Sequence, residues 1–187
     1  GGAIYFTDPP YGIKAEEMEQ KYAGIYRVDP DGSIRLLVSD FEKPNGLAFS
    51  PDESVLYIDD SHHQHIRAFD VASDGSLQNG RIFADLHYDG KGVPDGMTVD
   101  AEGFVWSARW GGSALYRYSP QGDEDRKVEF PAKQVSSVIF AGDDLTDMYV
   151  TTAGGQDREE NGPGAGGLFR LNLGIKGAPE FLSRVGL

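Results

Sequence analysis

The sequence has no cysteine, so disulfide bonds and metal sites built from thiolates are excluded. It also has no apolar run long enough to cross a bilayer as a helix. Basic residues are scarce, since 17 Lys and Arg stand against 30 Asp and Glu and leave a formal net charge of -13. Nucleic acids and anionic membrane surfaces both attract Lys and Arg, so this charge argues against either of them as a partner.

What the chain does contain indicates a folded protein that is rich in turns. Hydrophobic residues make up 39% and aromatic residues 11% of the sequence, which is enough for a packed core. The 25 glycines and 10 prolines favour many short strands joined by tight turns over long helices. We expect the 187 residues to belong to a single domain that spans residues 1–187.

Two stretches of the chain, residues 43–50 and 93–100, follow the same plan. In each, a proline precedes a residue with a short oxygen-bearing side chain, Asn45 or Asp95, and a glycine and alternating apolar residues follow. Such alternation predicts a strand with one buried face. Similar runs recur, and the predicted strands are Ala3–Thr7, Gly24–Val28, Ser33–Val38, Asn45–Ser50, Val55–Asp59, His65–Asp70, Arg81–Ala84, Asp95–Asp100, Phe104–Ala108, Ala114–Tyr118, Lys127–Phe130, Ser136–Phe140, Met148–Thr152 and Gly167–Leu171.

The order of strands and turns repeats roughly every 40–50 residues, with about four short strands in each period. This periodicity is typical of a β-propeller, an all-β fold built from four-stranded antiparallel blades. About four blades fit the chain, and the first lacks the strand that should precede Ala3. We therefore expect part of a larger ring whose N-terminal blades are missing. An antiparallel sandwich or barrel is the alternative, because it also uses short alternating strands.

The first strand of each propeller blade lines the central channel, so the residues that open these strands converge at one mouth. Asn45, Asp95 and Ser136 hold equivalent places in three successive units. Their oxygen atoms suit a hard cation such as Ca²⁺ or Mg²⁺, and Mn²⁺ or Zn²⁺ is also compatible. Ca²⁺ takes about six to eight oxygens, so water, substrate or other blades must supply the remainder. The alternative is that Asn-Gly and Asp-Gly are only turn residues that enter a strand.

Five motifs run in a fixed order over nearly the whole chain, namely residues 5–12 (YFTDPPYG), 43–47 (KPNGL), 56–60 (LYIDD), 94–103 (PDGMTVDAEG) and 147–153 (DMYVTTA). In these motifs the chain resembles the gluconolactonase family, also called the SMP-30/gluconolactonase/luciferin-regenerating-enzyme-like family. The resemblance implies a six-bladed propeller with one divalent cation on its axis, for which Ca²⁺ is the favoured ion. It also implies hydrolysis of a sugar lactone.

The resemblance further implies roles for individual residues. A Glu, an Asn and an Asp hold the cation in this family, and the last two match Asn45 and Asp95. The Glu, and a further Asn of the substrate site, are expected upstream of Gly1. The cation would polarise the lactone carbonyl and lower the pKa of a bound water. Asp95 would act as ligand and as general acid/base, although a carboxylate that binds a cation is a weaker base and could serve chiefly as a ligand.

Four further residues are candidates for the site. Asp8 is at a place where some lactonases of this family carry a functional Asp, and the alternative is a turn cap before two prolines. Tyr11 and Trp110 are predicted to line the mouth beside a sugar ring, although aromatic residues also pack between blades. Arg109 is predicted to meet a substrate hydroxyl or carboxylate, and a structural ion pair is the alternative.

Three other features invite a functional interpretation. Asp59 and Asp60 end a strand beside the predicted axis, where they either support the metal ligands or are simply solvated. The loop at residues 154–166 is either a lid over the mouth or a plain connector. A zinc site would explain the clustered histidines His62, His63 and His65, but without acidic ligands at suitable spacing we expect them to be exposed.

The leading hypothesis from the sequence is a metal-dependent sugar lactonase with a small-molecule lactone as its substrate. One alternative is a propeller that serves as a binding scaffold without catalysis. Another is a hydrolase of phosphotriesters, because the same axial cation would serve both reactions. The exposed blade edges of a partial ring predict self-association. The sequence does not distinguish a cytoplasmic from a periplasmic location.

Overall fold

The structure, a computed structural model, describes residues 2–12, 17, 23–86, 90–155 and 158–179. Fourteen strands account for most of this part of the chain. They are β1 (Ile4–Asp8), β2 (Ala23–Val28), β3 (Ile34–Phe41), β4 (Pro44–Phe49), β5 (Val55–Asp60), β6 (His65–Val71), β7 (Leu77–Asp85), β8 (Val93–Val99), β9 (Val105–Trp110), β10 (Ala114–Tyr118), β11 (Glu124–Glu129), β12 (Val135–Ala141), β13 (Asp147–Thr152) and β14 (Leu168–Asn172). No helix among the described residues is long and apolar enough to cross a membrane.

The strands form four antiparallel sheets, each a meander of consecutive strands. Strands β4 to β7 and β8 to β11 make two four-stranded sheets, and β1 to β3 and β12 to β14 make two three-stranded sheets. One local device recurs in the turns, where an aspartate carboxylate accepts the backbone amide of the residue two positions later. The aspartates include Asp31, Asp52, Asp74, Asp100 and Asp144. Such turns close tight hairpins, so consecutive strands pair with one another.

The hydrophobic core lies between neighbouring sheets. The second and third sheets pack through a cluster that includes Tyr57, Ile66, Val105 and Tyr116. Two further clusters join the third sheet to the fourth and the first sheet to the second, and they include Trp106 and Met148, and Ile25 and Leu56, respectively. Full burial of side chains of this size stabilises the fold by about 1.5–3 kcal/mol each. The described chain is therefore an all-β, propeller-like stack of four sheets, as expected, and not the two facing sheets of a sandwich.

The strands β4, β8 and β12 are the first strands of their sheets, and β8 contacts both of the others. Two glycines allow this close approach. A Cβ at Gly46 would lie 2.3 Å from the carbonyl oxygen of Asp95, and a Cβ at Gly96 would lie 2.4 Å from the hydroxyl oxygen of Ser137. Strand β1 also reaches β4, since the Thr7 hydroxyl donates to the carbonyl of Asn45 at 2.9 Å.

The predicted strands are confirmed in number and order, but several extend further than the alternation indicated. Strand β3 continues to Phe41, and β7 and β11 begin earlier, at Leu77 and Glu124. Irregularities in the pairing explain the difference, because the partners of β3, β7 and β11 all shift register, and a bulge interrupts the period of two on which the prediction rests. For the charged stretch at residues 14–21 the sequence predicts one or two helical turns, and this stretch lies outside the described residues apart from Glu17.

Candidate functional site

Asn45 and Asp95 both lie in β-bulges at the start of first strands. The pairing of β4 with β5 shifts between Pro44 and Leu47, and that of β8 with β9 shifts between Pro94 and Met97. One extra residue in each bulge turns the side chain out of the regular alternation, a device that is common next to active sites. The repeated order of proline, oxygen donor and glycine in the sequence therefore corresponds to a repeated backbone irregularity.

The two bulges bring the side chains of Asn45 and Asp95 into direct contact. The Asn45 carboxamide nitrogen donates to Asp95 Oδ1 at 2.7 Å, and it also lies 3.3 Å from the hydroxyls of Tyr11 and Ser61. Ser61 is held in turn, because its hydroxyl donates to the carbonyl of Pro94 at 2.8 Å. Polar atoms from the second and third sheets, and from the segment that follows β1, thus converge on one point.

This cluster opens into a cavity of about 690 Å³, a volume typical of small-molecule sites. Tyr11 and Trp110 form part of its wall and are 52% and 39% exposed, which leaves aromatic surface available to a ligand. The Lys43 ammonium lies 5.3 Å from the centre of the Tyr11 ring. The lining residues are Tyr11, Lys43, Asn45, Ser61, His62, Gln64, Val93, Pro94, Asp95 and Trp110.

Partial burial changes the acid–base properties of the cluster. Burial raises the pKa of the Asp95 carboxyl, and the hydrogen bond from Asn45 and the amide of Gly96 offset part of this rise. The pKa of Tyr11 is also raised, mainly by burial and further by the charge of Asp95, against the hydrogen bond with Ser61. Asp95 is therefore a better proton acceptor than an aspartate in water.

The donor set at this point fits a hard divalent cation. Asp95 offers a carboxylate, and Ser61 and Tyr11 offer hydroxyl oxygens, while the Asn45 carboxamide turns its nitrogen to all three and has its oxygen as the remaining donor. Oxygen ligands of this kind are the ones that Ca²⁺ and Mg²⁺ take in proteins. Asn45, Asp95 and the two hydroxyls supply fewer oxygens than the about six to eight that Ca²⁺ takes, so further ligands are required.

Asp59 lies behind the cluster and is fully buried. Neither of its carboxylate oxygens has a hydrogen-bond partner among the described residues. Its Oδ2 lies close to Gly46, the residue after Asn45. Burial raises the pKa of Asp59 well above its ordinary value, and the charge of Asp95 raises it further. Arg109 opposes this rise, whereas the Gly46 amide does so only weakly, because its geometry falls short of a hydrogen bond.

Asp60, the next residue, has the opposite character. It is buried, but its carboxylate accepts the amides of Glu42, Lys43, His62 and His63 at 3.0–3.2 Å. It also lies 2.9 Å from Nδ1 of His63. Burial alone would raise the pKa of Asp60, but these hydrogen bonds lower it on balance. Neither Asp59 nor Asp60 is solvated at a strand end, and Asp60 ties together the two segments that flank the cluster.

Three sequence candidates lie away from this cavity. Arg109, predicted to meet a substrate, is 0% exposed, and its guanidinium packs against the rings of Tyr116 and Tyr118 and donates to the Tyr118 hydroxyl. Asp8 ends β1 opposite Gly24 and does not line the cavity. Ser136 bonds the hydroxyl of Thr151 at 2.9 Å instead of joining Asn45 and Asp95.

Sequence reasoning missed several residues of the cavity, among them Lys43 and Ser61. Lys43 opens the motif at residues 43–47 and Ser61 follows the motif at residues 56–60, but neither residue type signals a ligand by itself. The loop at residues 154–166, for which the sequence leaves a lid or a plain connector open, is described except for residues 156 and 157. It contacts the segment at 131–133, where Gly164 donates to the Pro131 carbonyl at 2.7 Å, and its described residues do not line the cavity.

Comparisons with known proteins agree in sequence and in structure. The family model described as SMP-30/Gluconolactonase/LRE-like region matches residues 1–154. The pentonolactonase XacC of Haloferax volcanii is 34% identical over 190 residues, which cover 97% of this chain and 65% of that protein. A solved luciferin-regenerating enzyme has a TM-score of 0.84 at 27% identity and covers 100% of this chain and 62% of its own.

A second solved structure, the calcium-binding protein regucalcin from Agrobacterium tumefaciens, has a TM-score of 0.82 at 30% identity. The match covers 100% of this chain and 62% of the regucalcin chain. The present chain therefore spans less than two thirds of the length of these relatives. Both matches extend over the whole of this chain and therefore include the sheets that carry Asn45 and Asp95.

Proposed function

This chain belongs to the SMP-30/gluconolactonase/LRE-like family, and from that premise we propose that it hydrolyses a sugar lactone in the cavity beside Asn45 and Asp95. The observation that carries the proposal is the 2.7 Å contact between these two side chains, which come from different sheets. A pentonolactonase among the relatives supports the substrate class. The cavity is also large enough for a single sugar ring.

We propose a divalent cation as cofactor, held by the carboxamide oxygen of Asn45 and the carboxylate of Asp95. Ca²⁺ is the favoured ion, because the donors are all oxygens and one similar structure is described as calcium-binding. Mg²⁺, Mn²⁺ and Zn²⁺ are the alternatives. When bound, such a cation polarises the lactone carbonyl and makes a water easier to deprotonate.

Asp95 has two roles in the proposed reaction, as ligand and as acid/base. Asp95 takes a proton from the water that attacks the carbonyl carbon, and partial burial of its carboxyl raises its pKa against the lowering that a bound cation brings. The carbon–oxygen bond of the lactone ring then breaks, and Asp95 returns the proton to the departing ring oxygen, which gives the hydroxy acid. Asn45 orients the carboxylate through its hydrogen bond, and Tyr11 and Trp110 flank the sugar. Asp8 and Arg109 receive no direct role, since neither lines the cavity.

Lactone turnover of the purified chain tests this proposal, with acid release from glucono-1,5-lactone as the assay before and after EDTA treatment. Asp95→Asn keeps the size of the side chain but removes the base, and we expect kcat to fall by about 10²-fold or more. Asp144→Asn, in an exposed turn of the fourth sheet, is the matched control and should leave kcat unchanged. Turnover that survives both EDTA and Asp95→Asn would overturn the assignment.

Two comparisons separate this reaction from the alternatives. A phosphotriester assayed beside the lactone identifies a phosphotriesterase if it is the better substrate. A binding scaffold would show no turnover of either compound and need not be stabilised by Ca²⁺. A rise in melting temperature on Ca²⁺ addition that is lost in Asp95→Asn supports the proposed cation site.

We also propose that the four sheets are about four blades of a six-bladed ring, and that residues 1–187 are part of this single domain. The support is the 62% of the luciferin-regenerating enzyme that the chain spans at a TM-score of 0.84. Nucleic acids and membranes are not proposed as partners, because the net charge is -13. Unpaired strand edges favour self-association, and light scattering that gives the mass of one chain would contradict it.

A further inference from the structure

Two histidines in the turn between β5 and β6 meet an acidic residue that is distant in the sequence. Glu42, in the connection between β3 and β4, lies beside His62 and His63, and one ligand atom from each of the three lies within 4.8 Å of the others. All three side chains are exposed. The sequence predicted exposed histidines without an acidic partner, but the fold supplies one from twenty positions upstream, as the residue numbers show.

The buried carboxylate of Asp60 holds both segments in place. It accepts the amide of Glu42 at 3.0 Å and the amides of His62 and His63 at 3.0 and 3.2 Å. These bonds fix the backbone from which all three candidate ligands project. The cluster is therefore built on an ordered frame, and only the outer parts of its side chains are free to adjust.

His63 is oriented in the way that metal-binding histidines commonly are. Its Nδ1 lies 2.9 Å from Asp60 Oδ2, so Nδ1 carries the proton and Nε2 presents a lone pair. The His62 ring stands nearly perpendicular to it, at 84° with 5.1 Å between ring centres. The ring of His65 stacks on His63 at 5.6 Å and 9°. Stacking on His65 restricts the orientation of the His63 ring further.

We propose that Glu42, His62 and His63 bind a transition-metal dication of the Zn²⁺ type, with water as the fourth ligand. Two imidazoles and a carboxylate suit Zn²⁺, whereas the oxygen donors at Asn45 and Asp95 suit harder cations. Ligands around tetrahedral Zn²⁺ lie about 3.3 Å apart, and exposed side chains can close that distance. Because His62 also lines the cavity, a cation bound here fixes one part of the cavity wall. Zn²⁺ binding at this site does not require the lactonase activity proposed above.

Zn²⁺ titration of the full chain by calorimetry tests the site, after removal of metals and in excess Ca²⁺ to occupy the oxygen donors. We expect one equivalent to bind the wild-type chain and also Asp95→Asn, which lacks the other site. The affinity for Zn²⁺ should fall by at least about 10-fold in the single variant His63→Ala. The same fall is expected in the double variant that combines Glu42→Gln with His62→Ala. Circular dichroism checks that the variants fold, as the exposure of the three side chains predicts.

The spectrum of bound Co²⁺ adds a readout of geometry. Strong visible bands of tetrahedral Co²⁺ are expected in the wild-type chain and should be lost in His62→Ala. His65→Ala and Glu53→Gln, which change a neighbouring histidine and an exposed glutamate in another turn, are the controls and should keep both binding and spectrum. The assigned ligands would be wrong if Asp95→Asn lost Zn²⁺ binding, or if His65→Ala lost it while Glu42→Gln kept it. A wild-type chain that binds no Zn²⁺ would also overturn the proposal.

Discussion

Two buried carboxylates in neighbouring sheets, Asp100 and Asp59, differ completely in how they are bonded. Both are 0% exposed. Asp100 accepts the amides of Glu102 and Phe104 and the indole nitrogen of Trp106, each at 3.0 Å, and Arg117 at 2.8 Å. Asp59 has no hydrogen-bond partner in the described part of the chain. The positive charge of Arg109 opposes the rise in the pKa of Asp59. Two guanidinium nitrogens of Arg109 also have no hydrogen-bond partner in the described part of the chain.

The hydrogen bonds of Asp100 stabilise the fold, whereas Asp59 is buried without any hydrogen bond that would compensate for its burial. Asp100 closes the turn between β8 and β9 and anchors the buried guanidinium of Arg117. Asp59 gains nothing comparable, and its charge adds to that of Asp95. Unbonded buried polar groups are rare in proteins and concentrate at functional sites. The place of Asp59 directly behind the Asn45–Asp95 cluster fits that tendency.

The largest effect is expected from removing the well-bonded member of the pair. Asp100→Ala removes the buried acceptor of Arg117 and leaves the Trp106 indole and two amides without theirs, and should lower the free energy of unfolding by about 3–5 kcal/mol. Urea denaturation measures this. Asp125→Ala removes an exposed partner of the same Arg117 and serves as control, with an expected loss below about 1 kcal/mol. Similar losses for both variants would show that Asp100 is not the anchor.

A smaller effect is expected from crowding the space between Asp59 and Asp95. In Gly46→Ala the new Cβ would meet the Asp95 carbonyl at 2.3 Å and Asp59 Oδ2 at 2.8 Å. We expect a loss of about 1–3 kcal/mol in unfolding free energy, together with weaker Ca²⁺ binding by calorimetry. Gly154→Ala, whose Cβ would have its nearest contacts at 3.7 Å, is the control. Unchanged Ca²⁺ affinity in Gly46→Ala would mean that the bulge does not position Asp95.

The smallest effect, of opposite sign, is expected from Asp59→Asn. The pKa of Asp59 is raised in the folded chain, so the folded state binds its proton more tightly than the unfolded state does. Stability from this group is therefore present below the unfolded pKa of about 3.9 and is lost as the pH rises through the folded value. The amide removes this loss and should stabilise the metal-free chain at neutral pH by about 1 kcal/mol.

Unfolding free energies of the wild-type chain and Asp59→Asn, measured in EDTA from acid to neutral pH, check this sign. The two curves should converge at low pH and separate as the pH rises. If Asp59→Asn is destabilised at neutral pH as strongly as Asp100→Ala, then Asp59 has a bonding role like that of Asp100, and the contrast between them fails.

The sequence predicted the strands and the convergence of Asn45 and Asp95 because both depend on local patterns. Alternation of apolar residues defines a strand, and the repeated proline, oxygen donor and glycine mark equivalent bulges. Tyr11 and Trp110 also reach the cavity, although their contact with a substrate stays a prediction. Ser136 shows the limit of the pattern, since it occupies the equivalent strand but bonds Thr151.

The rest of the site depends on which face of a strand is covered, and no local pattern reveals this. Arg109 belongs to β9, whose residues are buried up to the last one, so its position in the strand did not show whether it faces a cavity or the core. Asp59 and Asp60 are neighbours in one motif, yet only the folded chain brings backbone amides to Asp60 and withholds them from Asp59. The approach of Glu42 to His62 likewise requires the pairing of separate segments.

The close approach of the first strands at Gly46 and Gly96 has a consequence for engineering. Each glycine follows a residue of a strand-opening bulge, Asn45 or Asp95, and neither has room for a Cβ. A library that randomises the bulges would consist largely of misfolded members, whatever ligand it placed at 45 or 95. The side chains of Tyr11, Lys43 and Trp110 also line the cavity, but they do not lie between the first strands. Substitutions at these three positions would therefore change substrate choice while the chain still folds.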